Sequence, residues 1–188
     1  MAGRTWRLAL GGALVVLTMS GVPGHAEGRM LEDFSGAGGS NWNFLTDQVM
    51  GGISEGQARV EEVAGARALH LTGSVSTANR GGFIQARLDL ASPLSADASG
   101  VVLRVRGDGQ RYFVHLRTSG TVLPWQYYQA PFETTADWQE VRLPWSAFEP
   151  SGRMLRDVPK PEAVRSLALV AYGRDHEADV SLAEIGTF

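Results

Sequence analysis

Gly100-Val101-Val102-Leu103-Arg104-Val105-Arg106-Gly107-Asp108-Gly109-Gln110-Arg111-Tyr112-Phe113-Val114-His115-Leu116-Arg117-Thr118 is the stretch on which the fold assignment turns. On its left arm Val101, Leu103 and Val105 alternate with Val102, Arg104 and Arg106, and on its right Tyr112, Val114 and Leu116 alternate with Phe113, His115 and Arg117. A period of two sends alternate side chains to opposite faces of a strand, so each arm reads as a strand with one apolar face. The Asp108-Gly109 pair tolerates the positive φ that tight turns require. The spacing predicts a β-hairpin over 100–118 whose register the turn fixes.

The same period recurs on both sides. Leu69 and Leu71 alternate with His70 and Thr72; Ile84, Ala86 and Leu88 alternate with Gln85, Arg87 and Asp89. Leu167 to Tyr172 is an almost unbroken apolar run, as expected of a strand covered on both faces. Pro144 ends a strand that begins near Trp138, Trp145 to Phe148 has the length of one helical turn, and Gly36–Gly39 and Ser151–Pro161 read as loops. Many short strands with frequent turns predict an all-β fold, a two-sheet β-sandwich of Greek-key or jelly-roll type. Trp138, Val141, Leu143, Trp145 and Phe148 are expected to pack its core and sheet edge.

Residues 1–26 read as a signal peptide. Arg4 and Arg7 precede an apolar run from Leu8 to Met19, and Gly24-His25-Ala26 offers the small-x-small pattern of a cleavage site. The run is shorter than the roughly 20 residues that span a bilayer. A single domain over 27–188, periplasmic or secreted, with no membrane span after cleavage, is the expectation. The chain has no cysteine and a net charge of −3, more negative once the leader's arginines are removed, which disfavours nucleic acid as a partner.

Four stretches in order, Asp47-Gln48-Val49-Met50-Gly51-Gly52-Ile53-Ser54, Asn79-Arg80-Gly81-Gly82-Phe83, Arg106-Gly107-Asp108-Gly109-Gln110-Arg111-Tyr112 and Trp138-Gln139-Glu140-Val141-Arg142-Leu143-Pro144-Trp145, together resemble the complex I intermediate-associated protein 30 family. The resemblance runs from about Phe34 to Ile185 and implies a galactose-binding-like jelly roll, a fold shared with carbohydrate-binding modules. Its mitochondrial members are non-catalytic assembly factors of respiratory complex I. An export signal separates this chain from the mitochondrial matrix in which they work.

No catalytic residues are indicated. A phosphate loop, a cysteine nucleophile and His-Glu-x-x-His are all missing, and Glu61-Glu62 would point to opposite faces of a strand. No cofactor and no metal site is expected, although Glu32, Asp33 and Glu184 could supply oxygen ligands to a structural Ca²⁺ if the first and last strands meet. His176, in the charged run Arg174 to Glu177, reads as a solvated turn.

Two sets of residues are candidates for binding a partner. The first is Asp47, Met50, Gly51 and Gly52 with Asn79, Gly81 and Gly82: either turns, with Met50 plugging the core and Asp47 capping a loop, or the rim of a contact site. A joint site gains weight if the two segments lie side by side. The second set is Arg87, Arg104, Arg106, His115 and Arg117, with His70 and Gln85, which would form one cationic face if their strands share a sheet. Trp125, Tyr127 and Tyr128 could then supply stacking surfaces beside it. A solvated face of snorkelling arginines is the competing reading. A protein partner is the leading expectation and a carbohydrate the alternative.

Overall fold

The computed structural model of the protein describes residues 28–36 and 41–188; the leader expected at 1–26 and most of the Gly36–Gly39 loop lie outside them. The strands are β1 (Met30–Glu32), β2 (Trp42–Thr46), β3 (Glu55–Val63), β4 (Ala66–Val75), β5 (Phe83–Asp89), β6 (Gly100–Gly107), β7 (Arg111–Thr118), β8 (Tyr128–Glu133), β9 (Gln139–Pro144), β10 (Glu149–Pro150), β11 (Val164–Tyr172) and β12 (His176–Thr187). They form two six-stranded antiparallel sheets. Sheet I runs β3-β4-β12-β6-β9 with β1 also on β12, and sheet II runs β10-β8-β7-β11-β5-β2. The expected all-β sandwich is therefore present, and its connections cross between layers as in a jelly roll.

The core lies between the sheets. Leu69, Leu71, Leu103, Val105, Val180 and Leu182 face it from sheet I, and Ile84, Ala86, Val114, Leu116, Leu167 and Leu169 from sheet II; all are buried. Strand β11 is covered on both faces, since Ala168 and Val170 on its outer side are as inaccessible as Leu167 and Leu169 on its inner side. Leu143, Trp145 and Phe148 are buried and Val141 packs against the core, but Trp138 does not join them.

The hairpin expected over 100–118 is not formed. Strand β6 pairs with β12 and β9 in sheet I, whereas β7 pairs with β11 and β8 in sheet II. Asp108 to Gln110 is an arch that carries the chain from one layer to the other. The reason is general. Alternation records only that Leu103, Val105, Val114 and Leu116 seek the core, and an arch satisfies that from opposite sides as well as a hairpin does from one. The positive φ does occur, at +83° on Gly109. The arch is tied to sheet I by the buried Tyr112, whose hydroxyl donates to the Asp108 carboxylate (3.0 Å) and accepts from the Asp179 amide (2.8 Å).

Because β6 and β7 part company, the cationic face splits as well. His70, Arg104 and Arg106 project from the outer face of sheet I; Gln85, Arg87, His115 and Arg117 project from that of sheet II.

A Cβ at Gly109 would touch nothing within 4 Å, so Gly109→Val tests backbone strain alone. It should cost about 1–3 kcal/mol in urea unfolding, whereas Gly152→Ala, at an equally open site without positive φ, should stay within about 0.5 kcal/mol of wild type.

Candidate functional site

The two glycine-rich motifs do lie side by side, and Asp47 is what joins them. Thr46 caps a short 3-10 turn over Asp47–Met50, and Gly51 at φ +90° reverses the chain. The Asp47 side chain enters the protein and is fully buried. One carboxylate oxygen accepts from the Ser54 amide (2.9 Å); the other accepts from the Ser54 hydroxyl and from the amides of Gly82 and Phe83 (3.3 Å). The Ser54 hydroxyl in turn accepts from the Ser76 amide at 3.0 Å. A Cβ on either Gly52 or Gly81 would fall inside the Asp47 carboxylate, so both glycines are there for close approach. Burial pushes the Asp47 carboxyl upward, but the bonds from Ser54, Gly82 and Phe83 outweigh it and hold the group below its ordinary value.

Asp47, Gly52 and Gly81 are thus a buried latch rather than ligand contacts. Beyond it, Asn79 and Arg80 both adopt positive φ, at 55° and 61°, a conformation that costs non-glycine residues of order 1–3 kcal/mol. Met50 does not plug the core. It is 61% exposed, between Val49 at 71% and Ile53 at 52%. A latched loop therefore presents three apolar side chains to solvent at one end of the sandwich.

The outer face of sheet II carries the second cluster. Tyr127 stacks flat on His115 (4.3 Å, 9°), and Tyr172 meets His115, Phe113 and Tyr127 edge-on, its hydroxyl 3.3 Å from that of Tyr127. The sheet register sets Arg87, Ala168, His115 and Gln129 in one row across four strands. Among the described residues Arg87 Nε, His115 Nε2 and Gln129 Oε1 are buried there with no hydrogen-bond partner; Arg87 Nε has only an unaligned ion-pair contact with Asp89 at 3.4 Å. Burial lowers the His115 pKa to about 3, so its imidazole is neutral. Arg117 is used otherwise: it donates to the carbonyls of Thr121 (3.2 Å) and Leu123 (3.0 Å) and braces the loop that displays Trp125, which is 67% exposed. Tyr128 faces the core and is only 2% exposed, so it is no stacking surface.

On sheet I the arginines are occupied by structure. Arg104 pairs with Glu184 (3.1 Å) and lies over the Trp138 ring (5.3 Å), while Arg106 makes a fork to the Ala136 carbonyl. Trp138, placed at the sequence level among core and edge residues, instead spreads over this outer face, with its indole N–H donating to the Ala64 carbonyl at 3.2 Å. His70 bridges Glu61 (2.6 Å) and Asp179 (2.9 Å). These partners are contributed by other strands and loops, which is why like charges at one face are tolerated.

Strands β1 and β12 do meet, with Glu32 opposite Ile185. Glu32 and Asp33 nevertheless accept from the backbone of Asp33 to Ser35 and Glu184 is paired with Arg104, so the suggested calcium ligands do not converge. Among the described residues no group of three acidic, His or Cys side chains is positioned to hold a metal. His176 opens β12 rather than a solvated turn, half-buried and edge-on to Tyr112 at 6.3 Å. Sequence reasoning missed Val49, Ile53, Phe113, Gln129 and Tyr172. The parity of Phe113 and Tyr172 was visible, but not that their strands are neighbours.

The two layers and their connections are those of a jelly roll, a fold that the chain shares with carbohydrate-binding modules of known structure. The family 11 module from Clostridium thermocellum, in complex with a beta-1,3-1,4-mixed-linked tetrasaccharide, superposes with a TM-score of 0.68 at 13% identity over 86% of this chain and 95% of that one. The family 11 module of the cellulosomal cellulase Lic26A-Cel5E of the same organism gives 0.70 at 12% identity, covering 88% and 96%. An exo-beta-agarase gives 0.53 at 10% identity over 85% of this chain and 25% of that one. No curated protein sequence matches the chain. The profile of Complex I intermediate-associated protein 30 (CIA30) matches residues 33–183, and the chain belongs to that family.

Tyr127 shields His115, so Tyr127→Ala should let water reach the imidazole. An NMR titration should then move its pKa from about 3 toward the ordinary 6.5; an unchanged value would mean that other groups bury it.

Proposed function

We propose that this protein is a non-catalytic binding domain that docks a protein client in the cell envelope, with the Val49–Met50–Ile53 tip as its contact. The observation that carries the reading is the latched, exposed apolar tip. Three large apolar side chains displayed together on a loop fixed by a buried carboxylate have no role in the fold's own core. Membership of a family with assembly factors among its members supports a protein as the client, and the leader-like residues 1–26 support an exported location. The non-catalytic reading is supported by the use made of the perturbed groups: Asp47 is wrapped by its own backbone and His115 is held neutral beneath Tyr127.

A specific observation favours a second reading, carbohydrate binding. Arg87, His115 and Gln129 hold a donor, an imidazole nitrogen and an acceptor unpartnered beneath Tyr127 and beside Tyr172, and the hydroxyl groups of a sugar that displaced Tyr127 would match that set, since they both donate and accept.

Photo-crosslinking from position 50 in intact cells, followed by purification, separates the two. The expected result is one envelope protein captured reproducibly, and captured at least about tenfold less when Ile53→Asp accompanies the crosslinker, since burying one such side chain contributes about 1.5–3 kcal/mol. The substitution should leave the melting temperature unchanged. No specific protein captured, together with saturable binding of mixed-linkage glucan that Tyr172→Ala abolishes, would replace the first reading by the second.

A further inference from the structure

Sheet I ends in β3 and β9 and sheet II in β10 and β2, and an end strand leaves a row of backbone N–H and C=O groups free to pair with another chain. β1, which pairs only with β12, adds a fifth edge just three residues long that ends in Glu32, and three of the four end strands carry devices that blunt them. β9 has Glu140, Arg142 and Pro144; β3 has Glu55, Arg59, Glu61 and Glu62; β10 is two residues long and ends in Pro150. β2 has none of these. Its sequence, Trp42-Asn43-Phe44-Leu45-Thr46, contains no charge, no proline and no glycine. Among the described residues its backbone pairs only with β5.

A groove of about 590 Å³ opens beside this edge, between β2 and β3, lined by Phe44, Leu45, Thr46, Val49, Glu55 and Gly56. It runs directly into the exposed tip, since Val49 belongs to both. We infer that the free edge of β2 takes up an extended, uncharged segment of the protein client as an added antiparallel strand, with every second side chain of that segment entering the groove. This rests on the protein-docking reading and specifies how the client is held: backbone bonds along β2, apolar contacts at Val49 and Met50. A second copy of this chain fits the groove less well. Its own β2 would bring Trp42 and Phe44, and these already pack against its core.

The probe is a set of amidated eight-residue peptides alternating Val, Ile, Phe or Tyr with Ser or Thr, added to the full chain and read by amide NMR shifts and hydrogen exchange. The expected result is binding below about 1 mM that protects amides within Trp42–Thr46. It should be lost when alternate peptide nitrogens are methylated, and weakened at least about tenfold by Leu45→Lys, which installs the charge that other edges carry. Leu45 is not among the residues packed on the core, so the melting temperature should hold; Asn43→Lys, on the same outer face, serves as the second variant. No peptide protecting β2 at 1 mM, or protection confined to the outer face of sheet II, would overturn the inference. So would a concentration-dependent dimer that Leu45→Lys dissolves, which would assign the edge to a second copy. If crosslinking from position 50 captures a client equally well with Leu45→Lys, strand addition is wrong while protein docking stands.

Discussion

Everything distinctive about one end of this sandwich hangs on the Asp47 carboxylate. It sits fully buried and accepts from the backbone at Ser54, Gly82 and Phe83 and from the Ser54 hydroxyl, so two connections that leave different sheets are pulled onto one anion. A buried charge is costly unless its lone pairs are satisfied, and here they are satisfied almost entirely by main chain. The glycines at 52 and 81 follow from that demand, because a side chain at either would occupy the volume of the carboxylate. The exposed tip is the consequence: once Asp47 turns inward, Val49, Met50 and Ile53 have no interior left to enter.

Much of the fold could be read from alternation, and the places where it could not are instructive. Leu103 and Val114 were correctly placed in the core, yet the pattern could not say from which side each reaches it. The Asp108-Gly109 signal specifies a backbone conformation at Gly109, and that conformation serves an arch as well as a hairpin. The cost of that ambiguity passes directly into function, because the side chains that would form one cationic face if their strands shared a sheet divide between the outer surfaces of the two sheets. Tyr128 illustrates the same limit at one residue: a shift of parity from its neighbour Tyr127 takes it from stacking surface to core.

The candidate site was legible in part for a physical reason. Paired glycines announce an unusual backbone requirement at both motifs, but nothing local in Asp47-Gln48-Val49-Met50 says that the two motifs meet, that the aspartate is buried or that the methionine is exposed. Apolar side chains are normally assigned to the interior, and only the latch reverses that assignment here. On the opposite sheet the arginines looked like a binding face because their partners, Glu184 and the Ala136 carbonyl, come from distant parts of the chain. The buried row of Arg87, His115 and Gln129 is assembled from three strands and becomes visible only when β5, β11, β7 and β8 are aligned.

The central claim, that a buried anion organises this end of the molecule, is tested most directly by measuring unfolding free energy against pH for the wild type and Asp47→Asn. The Asp47 carboxyl is held below its ordinary 3.8, so the stability it contributes is present in full above that value and is lost as pH falls through the lowered one. At pH 7 the variant should be less stable by about 2–4 kcal/mol, because charge-assisted bonds of about 1.5–3 kcal/mol are replaced by an amide whose N–H₂ faces other donors. The gap between the two curves should narrow steadily below pH 4, and the variant's amides at Ser54, Gly82 and Phe83 should exchange faster than the wild type's at neutral pH. A constant gap down to the acid limit, or equal stability at pH 7 with unchanged exchange at those three amides, would contradict the account.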